Sequence, residues 1–222
     1  AHTCIVGELT KRYPHIPIIS EEQKNLPYET RKTWTDCWMV DPLDGTKEFI
    51  KKNGEFTVNI ALIHGGEVLL GVVFLPVNQI AYYAVKNGGA FKKVQDEIRL
   101  LNGGMPLAQD IDELMHSDWH GKSLKIVASR SHLNTETQEF IDQLVENHAE
   151  VEMVSKGSSL KFCMIAEQEA DIYPRFAPTM EWDTAAAHII AEESGKKVID
   201  TTTNQAPRYN KESLRNNEFV VF

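Results

Sequence analysis

Cysteine is scarce in this chain of 222 residues, which carries only Cys4, Cys37 and Cys163. They are odd in number, scattered, and show neither Cys-x-x-Cys nor metal-finger spacing. That argues against a disulfide framework and reads as free thiols in a reducing compartment. Long apolar runs are missing as well. The longest, Val68 to Leu75, falls far short of the roughly 20 residues a membrane span requires, and no basic-then-apolar leader opens the sequence. The expected compartment is the cytoplasm, with a peripheral place on the cytoplasmic side of the inner membrane as a variant. Positive charge is also in short supply: 23 Lys and Arg stand against 32 Asp and Glu, a net charge of -9. A broad basic surface for a nucleic-acid polymer is therefore not expected. A small anionic ligand would need metal ions or a few local basic residues.

What is present suits a sizeable core, with 42% hydrophobic and 25% charged residues, and neither a repeat nor a low-complexity segment interrupts it. Ile5, Val6, Leu9 and Tyr13 lie at helical spacing before Pro14, with no capping residue ahead of them, so the chain is expected to begin inside a helix. Ile16 to Ile19 reads as a short strand, and a polar loop leads to a strand ending at Asp41. Thr57 to Ile63 and Val68 to Leu75 form a hairpin pattern, and Gln79 to Val85 and Ala90 to Val94 continue it as sheet. Leu101 to Lys122 reads as irregular and marks a boundary, giving an N-terminal α+β half over 1–105 and a C-terminal α/β half over 106–222. In the second half strands and helices alternate: Lys125 to Ser129, helix Thr135 to Asn147, Val151 to Val154, helix Ser159 to Glu169, Asp171 to Arg175, helix Trp182 to Ser194, Lys197 to Asp200 and finally Phe219 to Phe222. The fold class is a mixed α/β, α+β layered architecture.

Two stretches carry chemistry. In "WMVDPLDGTKEF" an apolar strand ends on Asp41 and Asp44, with Pro42 between them and Gly45-Thr46 after. Asp-Pro-Leu-Asp-Gly is also good turn chemistry. Carboxylates at the end of an apolar strand nevertheless repel one another unless a cation or donors offset them. The spacing does not match an EF-hand, whose ligands alternate. A hard-cation site built from distant segments remains, with Glu21 and the Leu43 carbonyl completing an all-oxygen set that suits Mg²⁺. Gly45 and Thr46 would offer backbone N–H groups to a phosphate at the start of the next helix. In "EWDTAAAHII", Asp183 falls in the first turn of a helix whose Ala185, Ala186 and Ala187 allow close packing; the alternative is a plain helix cap with an alanine-rich core face.

Together, "SEE", "DPLDGTKEF", "NGEFTVNIALI", "GSSLKF", "YPRF" and "EWDTAAAH" resemble the lithium-sensitive, magnesium-dependent inositol monophosphatase-like phosphatases. Lys47-Glu48-Phe49 and Gly157 to Phe162 favour the CysQ-type 3′(2′),5′-bisphosphate nucleotidase branch. The resemblance runs over nearly the whole chain. It implies the αβαβα sandwich of the inositol monophosphatase and fructose bisphosphatase type without its N-terminal helices, about 50 residues further upstream, which would include an aspartate partner for Thr46. Ala187 stands where many relatives have Gly. The resemblance further implies two or more Mg²⁺ ions: Glu21, Asp41 and the Leu43 carbonyl on the first, Asp41, Asp44 and Asp183 on the second. Substrate would touch Glu21, Leu43, Asp44, Gly45, Thr46 and Asp183, with Ser158, Lys161 and Arg175 on the nucleotide side. Catalysis would rest on Thr46, Glu21 and Asp41, Thr46 aiming a water at the 3′-phosphorus. The implied partner is a small phosphorylated nucleotide, adenosine 3′,5′-bisphosphate, cleaved to AMP and phosphate in sulfur assimilation and nucleotide recycling.

An inositol or sugar monophosphatase on the same scaffold is the first alternative, and a non-catalytic nucleotide-binding module the second. Away from the motifs, His188 lies five residues beyond Asp183 and reads as a core histidine rather than a zinc ligand. Ser129-Arg130-Ser131-His132 reads as a polar loop at a strand end. Glu22 would support the metal ligands from behind, and Glu55-Phe56 would support the hairpin.

Overall fold

The computed structural model describes residues 1–128 and 134–222; the stretch Ser129 to His132, expected as a loop, lies outside the described residues. The chain opens with α1, His2–Arg12. A seven-stranded sheet follows in sequence order: β1 (Ile18–Ser20), β2 (Asp36–Asp44), β3 (Thr57–His64), β4 (Glu67–Leu75), β5 (Ile80–Val85), β6 (Gly89–Val94) and β7 (Glu97–Leu101). Only β1 and β2 run parallel; the rest is an antiparallel meander. Short helices α2 (Tyr28–Arg31) and α3 (Thr46–Lys51) sit in the connections.

The second half carries α4 (Ile111–His116), β8 (Ser123–Ala128), α5 (Thr135–Glu146), β9 (Glu150–Ser155), α6 (Leu160–Ala166), β10 (Tyr173–Arg175), α7 (Glu181–Glu193), β11 (Val198–Asp200) and β12 (Phe219–Val221). Strands β8 and β9 pair in parallel, and a parallel bridge from Ile126 to Ile172 joins them to β10. Antiparallel β12 then links β10 to β11. The period-two alternation of β12 shows how this second sheet is covered. Phe219 and Val221 join the core containing α6, α7 and the first sheet. Val220 and Phe222 join the core containing α4 and α5. On the far side of the first sheet Tyr13, just past α1, packs its ring 5.4 Å from that of Trp38 on β2. The order is thus α1, sheet, α6 with α7, sheet, α4 with α5, a five-layer αβαβα arrangement.

Helix α7 is buried over most of its length, Glu181 to Ala191 apart from Asp183, because it lies between the two sheets. Its alanines allow this. A Cβ placed on Gly71 of β4 would stand 2.3 Å from the Ala186 carbonyl oxygen and 2.8 Å from Ile189 Cγ2, so helix and sheet approach at backbone distance.

Several elements differ from the sequence expectation. Strand β2 does not end at Asp41; it runs on to Asp44 with its register slipping between those two residues. Pro42 has no N–H for the ladder, which suits an irregularity of this kind. The bend falls instead on Gly45, at φ +91°. The stretch read as irregular contains α4, capped by Asp110, whose side chain accepts from Glu113 N at 2.8 Å. Strand β7 was not anticipated, and α6 ends at Ala166 rather than Glu169, the chain turning at Gln168 with φ +60°.

Gly71→Ala is expected to lower the unfolding free energy, read from the urea midpoint, by about 1–3 kcal/mol through overpacking against α7. Gly7→Ala, in α1 where an added Cβ meets nothing within 4 Å, should leave it unchanged or raise it by about 0.5–1 kcal/mol. Equal midpoints for Gly71→Ala and the parent would contradict the close approach of α7.

Candidate active site

The acidic residues are brought together by strand register. Parallel pairing sets Ser20 beside Val40, so the next residues on each strand, Glu21 and Asp41, stand side by side, and Glu21 N donates to the Val40 carbonyl at 3.2 Å. Asp41 is 1% exposed. One of its oxygens accepts from Leu43 N at 2.9 Å. Burial pushes its carboxyl up to about 10, with the charges of Asp44 and Glu21 adding to the rise and the Leu43 N–H opposing it. The register slip after Asp41 returns Asp44 to the inner side, where its Oδ2 accepts from Ser159 N at 2.6 Å, Thr57 Oγ1 at 3.3 Å and Asn59 Nδ2 at 3.4 Å. Burial still raises the Asp44 carboxyl, although Lys161 and these donors oppose it.

Asp183 comes from the start of α7. Its Oδ2 accepts from Met180 N at 2.8 Å, closing the first turn, and α7 is held at this end by Glu181. Burial pushes Asp183 up to about 7, and the negative charges of Asp44 and Glu21 push in the same direction. Glu21, Asp41, Asp44 and Asp183, from three remote stretches, therefore act on one another electrostatically.

Beside them is a cavity of about 130 Å³, lined among others by Asp44, Ser158, Lys161, Arg175 and Asp183. Lys161 is 4% exposed. Burial lowers its ammonium to about 8 while Asp44 pulls it upward. Its Nζ donates to the Ser158 carbonyl at 2.7 Å and lies 5.2 Å from the Tyr173 ring centroid. Arg175 donates from Nη2 to the Pro178 carbonyl at 3.1 Å, while its Nε is buried without a hydrogen-bond partner among the described residues. Two basic groups thus face an acidic cluster across one cavity, an arrangement suited to an anion bridged by cations.

The loop that carries Ser158 is built for close approach. A Cβ on Gly157 would meet Glu48 Cγ at 2.7 Å, and one on Gly45 would meet Ser158 Cβ at 3.3 Å. Ser158 takes a left-handed conformation, φ +48°, its hydroxyl donating to the Glu55 carbonyl at 2.8 Å. That turn aims the Ser159 N–H at Asp44. Glu55 accepts from Gly157 N at 3.1 Å, so it supports this loop.

Glu21, Asp41, Leu43, Gly45 and Thr46 are not part of the cavity lining. Glu22 and Thr46 are exposed, Thr46 as the first residue of α3. Among the described residues no three His, Cys, Asp or Glu side chains stand ready-made around a metal position; Asp44 is turned toward Ser159 instead. The donor set nonetheless fits a hard divalent cation. It is all oxygen, with Asp41 buried, Asp44 and Asp183 half-buried and Glu21 exposed, and the charge of Asp44 raises the proton affinity of Asp41 and Asp183, a repulsion that a cation offsets. His188 is 3% exposed and bonds Tyr209 Oη through Nδ1 at 2.7 Å, as a core histidine would. Sequence reading missed Thr57 and Asn59 as partners of Asp44; their place on the inward alternation of β3 was the available signal. Tyr173, Thr179 and Glu48, which also line the cavity, carried no such signal.

Comparison with known proteins gives the family of the chain. The pattern of the inositol monophosphatase family matches residues 1–219. The 3′(2′),5′-bisphosphate nucleotidase CysQ of Salmonella typhimurium is 44% identical over 227 residues, covering 100% of this chain and 81% of that protein. CysQ of Escherichia coli K12 is 42% identical over 224 residues, with the same two coverages, 100% and 81%. The crystal structure of CysQ from Bacteroides thetaiotaomicron, 44% identical, superposes with a TM-score of 0.82 over 99% of this chain and 80% of that one. On a family match across nearly its whole length and relatives at 44% and 42% identity, the chain belongs to the inositol monophosphatase family.

Proposed function

We propose that this chain is a magnesium-dependent 3′(2′),5′-bisphosphate nucleotidase that removes the 3′-phosphate of adenosine 3′,5′-bisphosphate, giving AMP and inorganic phosphate. The observation that carries the reading is the meeting of Asp44 and Asp183 with Lys161 and Arg175 in one cavity. The relatives named for this activity support it. Two basic groups suit a substrate with two phosphates better than one with a single phosphate.

In this reading Glu21, Asp41 and the Leu43 carbonyl would hold one cation, and Asp41, Asp44 and Asp183 would hold a second. Bound divalent cations supply Lewis acidity toward phosphoryl oxygens and make water a better nucleophile near neutral pH. The protein does the positioning. Asp41 is fixed by the Leu43 N–H, Asp44 by the Ser159 N–H and Asp183 by the Met180 N–H, so a backbone N–H holds one oxygen of each carboxylate, and cation binding would turn Asp44 from Ser159 toward the other two. Arg175 offers forked donors to a phosphate and Lys161 a point charge. Ser158 lies at the same wall of the cavity, on the side assigned to the nucleotide. Gly45 and Thr46 would meet the scissile phosphate from the other side, and the Thr46 hydroxyl would orient the attacking water.

Phosphate release from adenosine 3′,5′-bisphosphate should exceed that from inositol 1-phosphate; the reverse order would favour a monophosphatase. Asp41→Asn should abolish turnover, because Asp41 serves both cation positions; retained parental turnover would remove this assignment. Lys161→Ala should raise KM for the bisphosphate about 10–100-fold, the loss of a charge-assisted hydrogen bond, with a smaller effect on kcat. Because burial lowers Lys161 to about 8, its charge is present below that pH and fades above it. KM for the bisphosphate should therefore rise between pH 7 and 9, and Lys161→Arg, charged throughout, should flatten the rise. A KM profile identical in both proteins would exclude Lys161 as the phosphate partner.

A further inference from the structure

The segment that bears Glu21 and the helix that bears Asp183 have no sheet pairing in common, yet they are tied together by buried polar groups that the reaction does not use. Arg31, at the end of α2, is 3% exposed. Its Nε donates to the Leu26 carbonyl at 3.0 Å, within the loop that follows Glu21. Its Nη1 donates to Asn210 Oδ1 at 2.7 Å and to the Lys211 carbonyl at 3.1 Å, and its Nη2 to the Glu212 carbonyl at 3.1 Å. Asn210 answers with Nδ2 on the Arg31 carbonyl at 2.9 Å.

The same turn grips α7 from the other side. Glu181, 0% exposed, accepts from Asn210 N at 2.5 Å through Oε2 and from Lys211 N at 3.1 Å and Lys211 Nζ at 2.6 Å through Oε1. Glu181 N donates to the Leu214 carbonyl at 2.8 Å. Asn210 takes φ +59°, which folds the 208–212 turn so that its side chain meets Arg31 while its N–H meets Glu181. A buried guanidinium and a buried carboxylate, with a partner for each nitrogen and each oxygen, are costly to assemble and rigid once formed.

We propose that Arg31, Asn210 and Glu181 form a positioning clamp that sets the separation of Glu21 from Asp183. None of the three reaches the cavity or the acidic oxygens. They act by holding the loop 21–31 and the first turn of α7 on one rigid turn. This rests on the assignment of Glu21 and Asp183 to cation binding. Breaking the clamp should then loosen the acidic cluster before it unfolds the protein, as loss of groups supporting metal ligands weakens metal affinity by about 10–100-fold.

The test compares Arg31→Met, Glu181→Gln and Asn210→Gly with the parent. Asn210→Gly keeps the left-handed turn and removes only the side-chain link, so it stays informative if the two charge changes prevent folding. Two quantities are read. Amide hydrogen exchange without magnesium should show the 22–31 segment exchanging about tenfold faster in Asn210→Gly, with β3 and β4 unchanged. The magnesium concentration for half-maximal phosphate release should rise about tenfold or more, with kcat at saturating magnesium within about threefold of the parent. Unchanged exchange in 22–31, or a uniform rise across the molecule, overturns the clamp. An unchanged magnesium midpoint with a lowered kcat overturns its positioning role. If the parent releases no phosphate from the bisphosphate, the functional reading fails by itself; the exchange result and calorimetric magnesium binding still decide the clamp.

Discussion

Asp41, Asp44 and Asp183 are carboxylates withdrawn from water and set within reach of one another's charge, with Glu21 beside them. Isolated, each would be expensive to bury, and together they repel. The direction of their proton affinities, all raised by burial first, expresses that cost. Much of the surrounding structure reads as the means of bearing it. Backbone N–H groups from Leu43, Ser159 and Met180 each satisfy one carboxylate oxygen, and Lys161 supplies a buried positive charge.

The fold brings these groups together by three separate devices. Parallel pairing of β1 with β2 aligns Glu21 with Asp41, the slip after Asp41 redirects Asp44, and the backbone-close seating of α7 on β4 delivers Asp183. The last depends on Gly71 and Ala186 having no bulk to spare. A second pair of tight contacts, Gly157 on Glu48 and Gly45 on Ser158, brings the basic wall of the cavity against the acidic one. Small residues thus set the width of the site, and the polar turn at 208–212 sets the span between its two ends.

Much of this was legible in the sequence. Asp41, Asp44 and Asp183 stood out because charge follows directly on apolar strand or precedes an alanine-rich helix, and the β3–β4 hairpin followed from its β-branched runs. The bend was misplaced because Asp-Pro-Leu-Asp reads as turn chemistry, while pairing of Asp44 with Thr57, a tertiary fact, keeps it in the strand. Strand β7, Glu97–Leu101, was hidden because most of its residues are exposed, so no burial pattern marks it. Helix α4 was hidden by its brevity. The partners of Asp44 and the Arg31–Asn210 contact, which spans 179 residues of sequence, could not be read locally, because nothing near either residue in the chain announces its partner.

The most direct test of the central claim is anomalous diffraction from crystals of this protein soaked in Mn²⁺, a scattering stand-in for Mg²⁺. The account expects density against the carboxylates of Asp41, Asp44 and Asp183, with Asp41 shared between two peaks, and no such density in Asp41→Asn. Mn²⁺ bound elsewhere, or an acidic cluster that stays empty at saturating metal, would contradict it.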